Sequence, residues 1–252
     1  MVRLWHKLRY RLIEDQKVKR YLLYALGEIL LIVIGILIAF QVNNWDILKK
    51  QERQSLELVR NLRSDLVRDT ANLKEVIEMY TEIYQDRLKA LGTRDFGDMP
   101  GDSIMDLVTP KYRTVDFVSP TFHKMESIGL TELAGFGDLF DRVNDYYTTI
   151  QNNYRNFIDW DSKSALNEAQ FWYYNPDFEN YYHEIFVGDS LPALQSETAR
   201  KSELVRLLKT PRVRNMLRTS AMRKKETIDR IRGAREYAIN LLGAIDSTLA
   251  ER

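Results

Sequence analysis

The sequence predicts an all-α protein in which one N-terminal transmembrane helix is followed by a long amphipathic helix and an extracytoplasmic up-and-down helical bundle. Three observations predict this architecture. An unbroken apolar run fills Tyr21–Val42, apolar residues elsewhere recur at helical spacing, and no alternating strand run of useful length occurs. The 252 residues hold 37 Lys+Arg against 36 Asp+Glu, 44% hydrophobic residues and no cysteine. That balance excludes a disordered chain, and the missing cysteine excludes disulfides, thiolate metal sites and cysteine nucleophiles. A formal charge of +1 gives no global attraction to nucleic acid.

Three segments follow: 1–20, 21–45 and 46–252. The first is basic, with Val2, Trp5, Leu8, Leu12 and Ile13 near helical spacing. It reads either as an interfacial helix with Trp5 in the headgroup layer or as a flexible basic region. The second carries the apolar run, whose 22 residues reach roughly 33 Å as a helix, enough to cross a bilayer. A cleaved signal peptide is disfavoured, because the run is too long and ends without a small-x-small site. Seven basic residues precede the run and four lie in the twenty positions after it, which predicts a cytoplasmic N-terminus. In a two-membrane bacterium the remainder would then occupy the periplasm.

Within the span, Glu28 is the single charge. It lies about 10 Å from the cytoplasmic start rather than at the centre. Helical spacing places Tyr24, Glu28, Gly35, Ala39 and Val42 on or near one face, and Gly35 and Ala39 form a small-x-x-x-small pair. These residues predict helix–helix packing and a homo-oligomer; a proton relay is the weaker reading, since no second titratable group shares the span. Gln41, Asn43, Asn44 and Trp45 follow at the expected interface, where amides bond headgroups, water or one another and the indole anchors.

The motif YA-x-GEI-x-L-x-x-IGILIA-x-Q-x-NNW, here Tyr24 through Trp45, resembles a family of uncharacterised bacterial single-span inner-membrane proteins. The resemblance covers roughly residues 20–46, with a Tyr146-Tyr147 pair of the kind that family shows. It implies an anchor, a topology and a helical extracytoplasmic domain. It lends no catalytic residue.

Residues 46–91 lack proline and glycine, and apolar residues recur at Leu56, Val59, Leu62, Leu66, Leu73, Val76, Tyr80, Ile83 and Leu88. This predicts a long amphipathic helix with a near-heptad seam that Asp69 breaks. Gly92, Gly97, Pro100, Gly101, Pro110 and Pro120 then predict a loop with one short helix near 103–108. Helix is expected again from Pro120 to Ser127 and from about Gly137 to Tyr173, the latter with Leu166 in its apolar period. After a turn-rich stretch from Asn175 to Pro192, helix is expected from about Thr198 to Leu249 with a break before Pro211.

Charge is segregated: 17 acidic against 6 basic residues lie between Asp95 and Asp189, and 11 basic against 2 acidic between Arg206 and Arg235. Pairing within the bundle or between subunits explains this better than a lipid or partner surface, and nucleic acid is not expected. Asp177, Glu179, His183 and Glu184 form the best metal-like grouping, yet there is no second histidine at ligand spacing, and neither a metal nor a cofactor is expected. The run Phe171-Trp172-Tyr173-Tyr174 reads as core or interface before it reads as a pocket wall. No phosphate loop or nucleophile elbow occurs. The leading expectation is a non-enzymatic membrane-anchored scaffold with an envelope-protein partner. The alternative is a periplasmic small-molecule sensor module that signals through its anchor to a separate protein, and a periplasmic hydrolase ranks third.

Overall fold

The computed structural model describes residues 16–114, 116–179 and 194–251, and every described regular element is helical. The chain divides into two compact units, Met1–Leu56 and Glu57–Arg252. Helix α1, Gln16–Gly92, contributes residues to both as one uninterrupted element. Its length follows from composition: no proline occurs before Pro100, and the only glycines before Gly92 are Gly27 and Gly35.

In the first unit, α1 carries the apolar run. It is the one helix among the described residues long and apolar enough to cross a membrane, and none of its apolar window is buried against protein. Tyr21, Leu22, Leu31, Ile36, Phe40 and Trp45 all lie exposed. The basic segment before Gln16, with Trp5, lies outside the described residues.

In the second unit, residues 57–92 of α1 bury the predicted stripe Val59, Leu62, Leu66, Leu73, Val76, Tyr80 and Ile83. Two expectations are corrected here. Asp69 does not interrupt the buried seam, for both Asp65 and Asp69 are only 2% exposed within it. At the far end Leu88 is 40% exposed and Arg87 is buried instead, because Arg87 falls one turn after Ile83 and continues the stripe.

The short helix α2 spans Gly101–Asp106, two residues earlier than predicted, since Pro100 holds extended backbone immediately before it. Helix α3 runs over Pro120–Ser127 as predicted. It ends in a Schellman motif: Gly129, at φ 65°, donates to the Glu126 carbonyl and Leu130 to that of Met125. Helix α4, Leu139–Asp145, passes through a π-helical turn, Tyr146–Ile150, into α5, Gln151–Tyr173. The wider turn lets Tyr146 and Tyr147 be buried side by side. Around the middle of α5 the stripe turns inward at Asp161, Ala165 and Glu168, whereas Leu166 is 52% exposed, contrary to expectation. Helix α6, Glu197–Leu208, is capped by Ser196, and α7, Pro211–Ala250, by Thr210 with Pro211 at its first position.

Side-chain pairs report the helix directions in this unit. Arg63 meets Asp246, Arg235 donates to the Thr70 carbonyl, Arg87 to Ser220 and Arg214 to the Leu91 carbonyl. As one number rises the other falls, so α1 and α7 are antiparallel. Helix α5 also opposes α7, through Glu168 to Ser220 and Arg230 over the Phe157 ring. It therefore runs parallel to α1, with Tyr146 on Asp69 and Tyr80 on Asp161. The expected up-and-down order fails at this step, because residues 93–138 carry the chain back to the end where the unit begins. An apolar cluster of Ala90, Phe96, Ile104, Val108, Trp172, Leu204 and Leu217 closes the opposite end.

Candidate functional site

On the first unit, Tyr24, Glu28, Ala39, Gln41, Asn43 and Trp45 are exposed and Asn44 is half-buried. The helix surface over Gly35 is open, with nothing within 4 Å of where a Cβ would stand. Just beyond the apolar run, Lys49 Nζ sits 3.7 Å from the centre of the Trp45 ring, and Lys50 pairs with Asp46 at 2.7 Å. An aromatic with a cation stacked upon it suits the layer where hydrocarbon gives way to headgroups.

The second unit contains a buried polar network that sequence reasoning missed. Asp161 on α5 is fully buried; its Oδ2 accepts from Lys224 Nζ at 2.6 Å and Tyr80 OH at 3.1 Å, and its Oδ1 from Arg223 Nε at 3.4 Å. Arg223 Nη2 donates to Glu168 Oε1 at 2.5 Å, and Ser220 Oγ to Glu168 Oε2 at 3.1 Å. Lys224 also donates to the Lys111 carbonyl at 2.7 Å and lies over the Tyr80 ring. Arg87 completes the group by donating to Ser220 Oγ at 3.3 Å, to the Thr109 carbonyl at 2.7 Å and to the Leu107 carbonyl.

Three cations thus face two carboxylates, and the third cation is satisfied by neutral oxygens. Burial pulls the Arg87 and Lys224 pKa values down, opposed by Glu168 for the first and Asp161 for the second. Burial, reinforced by Asp161, pushes the Tyr80 phenol far up, so it stays protonated as a donor. A one-sided truncation would leave a buried charge without its partner, which is costly. The network joins α1, α5 and α7 in one register. The signal for it in the sequence is charge in phase with apolar stripes: Arg87 after Ile83, Asp161 after Ile158, Arg223 and Lys224 between Leu217 and Ile228.

A second polar knot lies nearer the start of the unit. Asp65 Oδ2 accepts from Thr121 N–H at 3.1 Å and its Oδ1 from Arg68 Nη2 at 2.6 Å. Asp69 Oδ1 accepts from Val118 N–H at 2.5 Å and its Oδ2 from Tyr146 OH at 3.2 Å. Helix α3 receives no side-chain cap from Ser119, so α1 supplies the carboxylate that takes up an amide of its first turn. Phe117, Phe122, Tyr146 and Tyr147 pack around the knot at ring distances of 4.9–5.1 Å. Burial pushes the Asp69 carboxyl up to about 7.

The metal-like grouping is otherwise engaged where it is described. Asp177 pairs with Arg206 at 2.6 Å, and Glu179 Oε2 accepts from the amides of Leu194 and Gln195, each at 2.8 Å. His183 and Glu184 lie outside the described residues, as does His6. His123 is exposed beside Ser119 and Glu126. Among the described residues no three His, Asp or Glu side chains form a metal-binding group. The aromatic run divides, with Trp172 in the core and Tyr174 exposed. The basic stripe of α6 and α7 also divides: Arg223 and Lys224 turn inward, while Arg206, Arg230 and Arg232 pair with Glu203, Glu226 and Asp229. Open depressions of about 340 and 380 Å³ lie by Gly97 and Lys201 and by Tyr174 and Arg212; no network residue lines either.

Residues 28–96 match a family of unknown function (DUF6090). The matched stretch runs from Glu28 through the end of α1 to Phe96, so the similarity covers the apolar run from Glu28 onward and the α1 portion of both polar clusters. No curated protein and no solved structure matches the chain.

Proposed function

We propose that the chain is a non-enzymatic, membrane-anchored helical scaffold of the bacterial cell envelope, with its N-terminus in the cytoplasm and residues 46–252 in the periplasm as a helical bundle. One observation carries the reading: an apolar helix surface that none of the described residues covers is joined to a helical unit whose core pairs Arg223 and Lys224 with Asp161 and Glu168. Lipid is the natural cover for the first, and paired core charges leave the second a rigid body for holding partners. The face with Tyr24, Glu28, Gly35 and Ala39 suits contact with a second copy of the helix.

The missing cysteine makes topology directly testable. Single-cysteine variants at exposed Ser127 or Thr131 should label with a membrane-impermeant maleimide from the periplasmic side of intact cells. Labelling only after permeabilisation overturns the orientation. Photo-crosslinking from the outer helix faces should recover a protein partner, and recovery of none, a second copy included, overturns the scaffold. Replacing Glu28 or Gly35 by Leu should shift the oligomer size in detergent, and an unchanged size for both removes helix packing from the proposal.

The sensor reading keeps one supporting observation, the continuity of α1 from the apolar run into the network-bearing segment. It requires a ligand-dependent change in that segment, measurable as a thermal shift with periplasmic extract fractions of low molecular weight.

A further inference from the structure

Asp65 and Asp69 stand one turn apart on the same face of α1, and both are buried. Their donors are unequal. Asp65 has the Arg68 guanidinium and an amide in the first turn of α3 as its donors. Asp69 has a neutral amide, a phenol and no cation of its own, since Arg68 is taken up by Asp65 and projects outward.

Among the described residues, the other packed elements do not supply a counter-charge. The π-helical turn offers only the phenols of Tyr146 and, onto the Val118 carbonyl, Tyr147. From α7, Arg235 is bound to the Thr70 carbonyl, and Tyr237 stacks on Tyr146 with its hydroxyl on the Arg142 carbonyl beside Asp145. The ionisable groups of α3, His123, Lys124 and Glu126, are exposed. A buried carboxyl with no cation of its own, one helical turn from a second acidic side chain, is most stable when it carries a proton.

We propose that Asp65 and Asp69 form a proton-operated latch, which holds residues 116–119 and the π-helical turn against α1 while Asp69 is protonated and loosens them when Asp69 is ionised. A proton on Oδ2 leaves Oδ1 free to accept from Val118 and reverses the Tyr146 contact, Oδ2–H now donating to the phenol oxygen, so both closed contacts survive protonation. Loss of that proton places a second negative charge in the same apolar surroundings. Water reaches it when the 116–119 segment and its Phe117 ring lift. The direction of the Asp69 shift agrees, burial being its largest cause and the Asp65 charge adding to it. The latch rests on the geometry of the second unit alone and stands whether or not the scaffold reading does.

Hydrogen exchange by mass spectrometry on the full chain in detergent tests it. After correction for intrinsic rates, opening of residues 116–122 should rise on the order of tenfold between pH 5.5 and pH 8.5. Asp69→Asn should show equal opening at both values. Equal opening in the wild type, or a pH dependence that persists in the variant, overturns the latch. A carboxyl carbon NMR titration of the wild-type chain tests the latch without any variant: a midpoint near neutrality for Asp69 supports it, and one in the ordinary carboxylate range overturns it.

Discussion

Asp161 shows how much a single side chain governs in this fold. It is fully buried and accepts from Lys224, Arg223 and Tyr80, so its charge offsets two cations whose helix, α7, is remote from it in sequence. Asp161→Asn keeps the shape and removes the charge, leaving Lys224 buried against neutral oxygens. We expect a loss of about 3–5 kcal/mol in chemical denaturation. Adding Lys224→Met should recover part of that loss, because the uncompensated ammonium is then gone; no recovery would mean that the cost lies in packing alone. Asp69 behaves oppositely. Its folded pKa of about 7 stands above the ordinary 3.8, so the stability it contributes is full below pH 4 and is lost as pH rises through 7. Asp69→Asn should therefore gain on the wild type as pH rises from 5 to 8, by about 2 kcal/mol, measured as unfolding free energy at each pH. A constant difference across that range would place the Asp69 titration elsewhere.

At the level of elements, glycine position separates two outcomes. Gly129 holds φ at 65° to close the Schellman motif of α3, so Gly129→Ala should cost about 1 kcal/mol. Gly243 lies inside α7 with open space around its missing Cβ, so Gly243→Ala should stabilise by about 0.5–1 kcal/mol. Thermal midpoints that move in opposite directions would bear this out. Such helix ends are legible in the sequence because they depend on neighbours in the chain: Pro120 and Ser127 bound α3, and Pro211 opens α7, as read from residue type alone. What is not legible depends on residues far apart. Arg87, Asp161, Glu168, Arg223 and Lys224 sit in phase with apolar stripes, but periodicity within one helix does not pair a charge with its partner on another. The parallel run of α1 and α5 is likewise hidden, since helix direction is set by the path of residues 93–138. The metal-like grouping stands out only because its members are close in sequence, whereas Asp177 and Glu179 bond to Arg206 and to the amides of Leu194 and Gln195.

For the molecule as a whole, apolar exposure divides at the boundary between the units. Between Tyr21 and Leu48 the large apolar side chains of α1 are exposed together, a surface that water does not tolerate without detergent or lipid. In the second unit the exposed large apolar residues, such as Val67, Leu88, Trp160 and Met222, are scattered singly among charges, as on soluble proteins. The core of that unit draws on all three long helices and needs no disulfide, since the chain has no cysteine. A fragment of residues 57–252 should therefore be soluble without detergent, strongly helical and cooperative in unfolding, while the full chain stays with membranes through high-salt and alkaline washes. Circular dichroism and sedimentation of the fragment, beside fractionation of the full chain, test both halves. An insoluble or non-cooperative fragment would show that the first unit contributes to the folding of the second. A full chain released by alkali would show that the apolar run is covered by protein rather than lipid, and the anchor would have to be reassigned as an assembly surface.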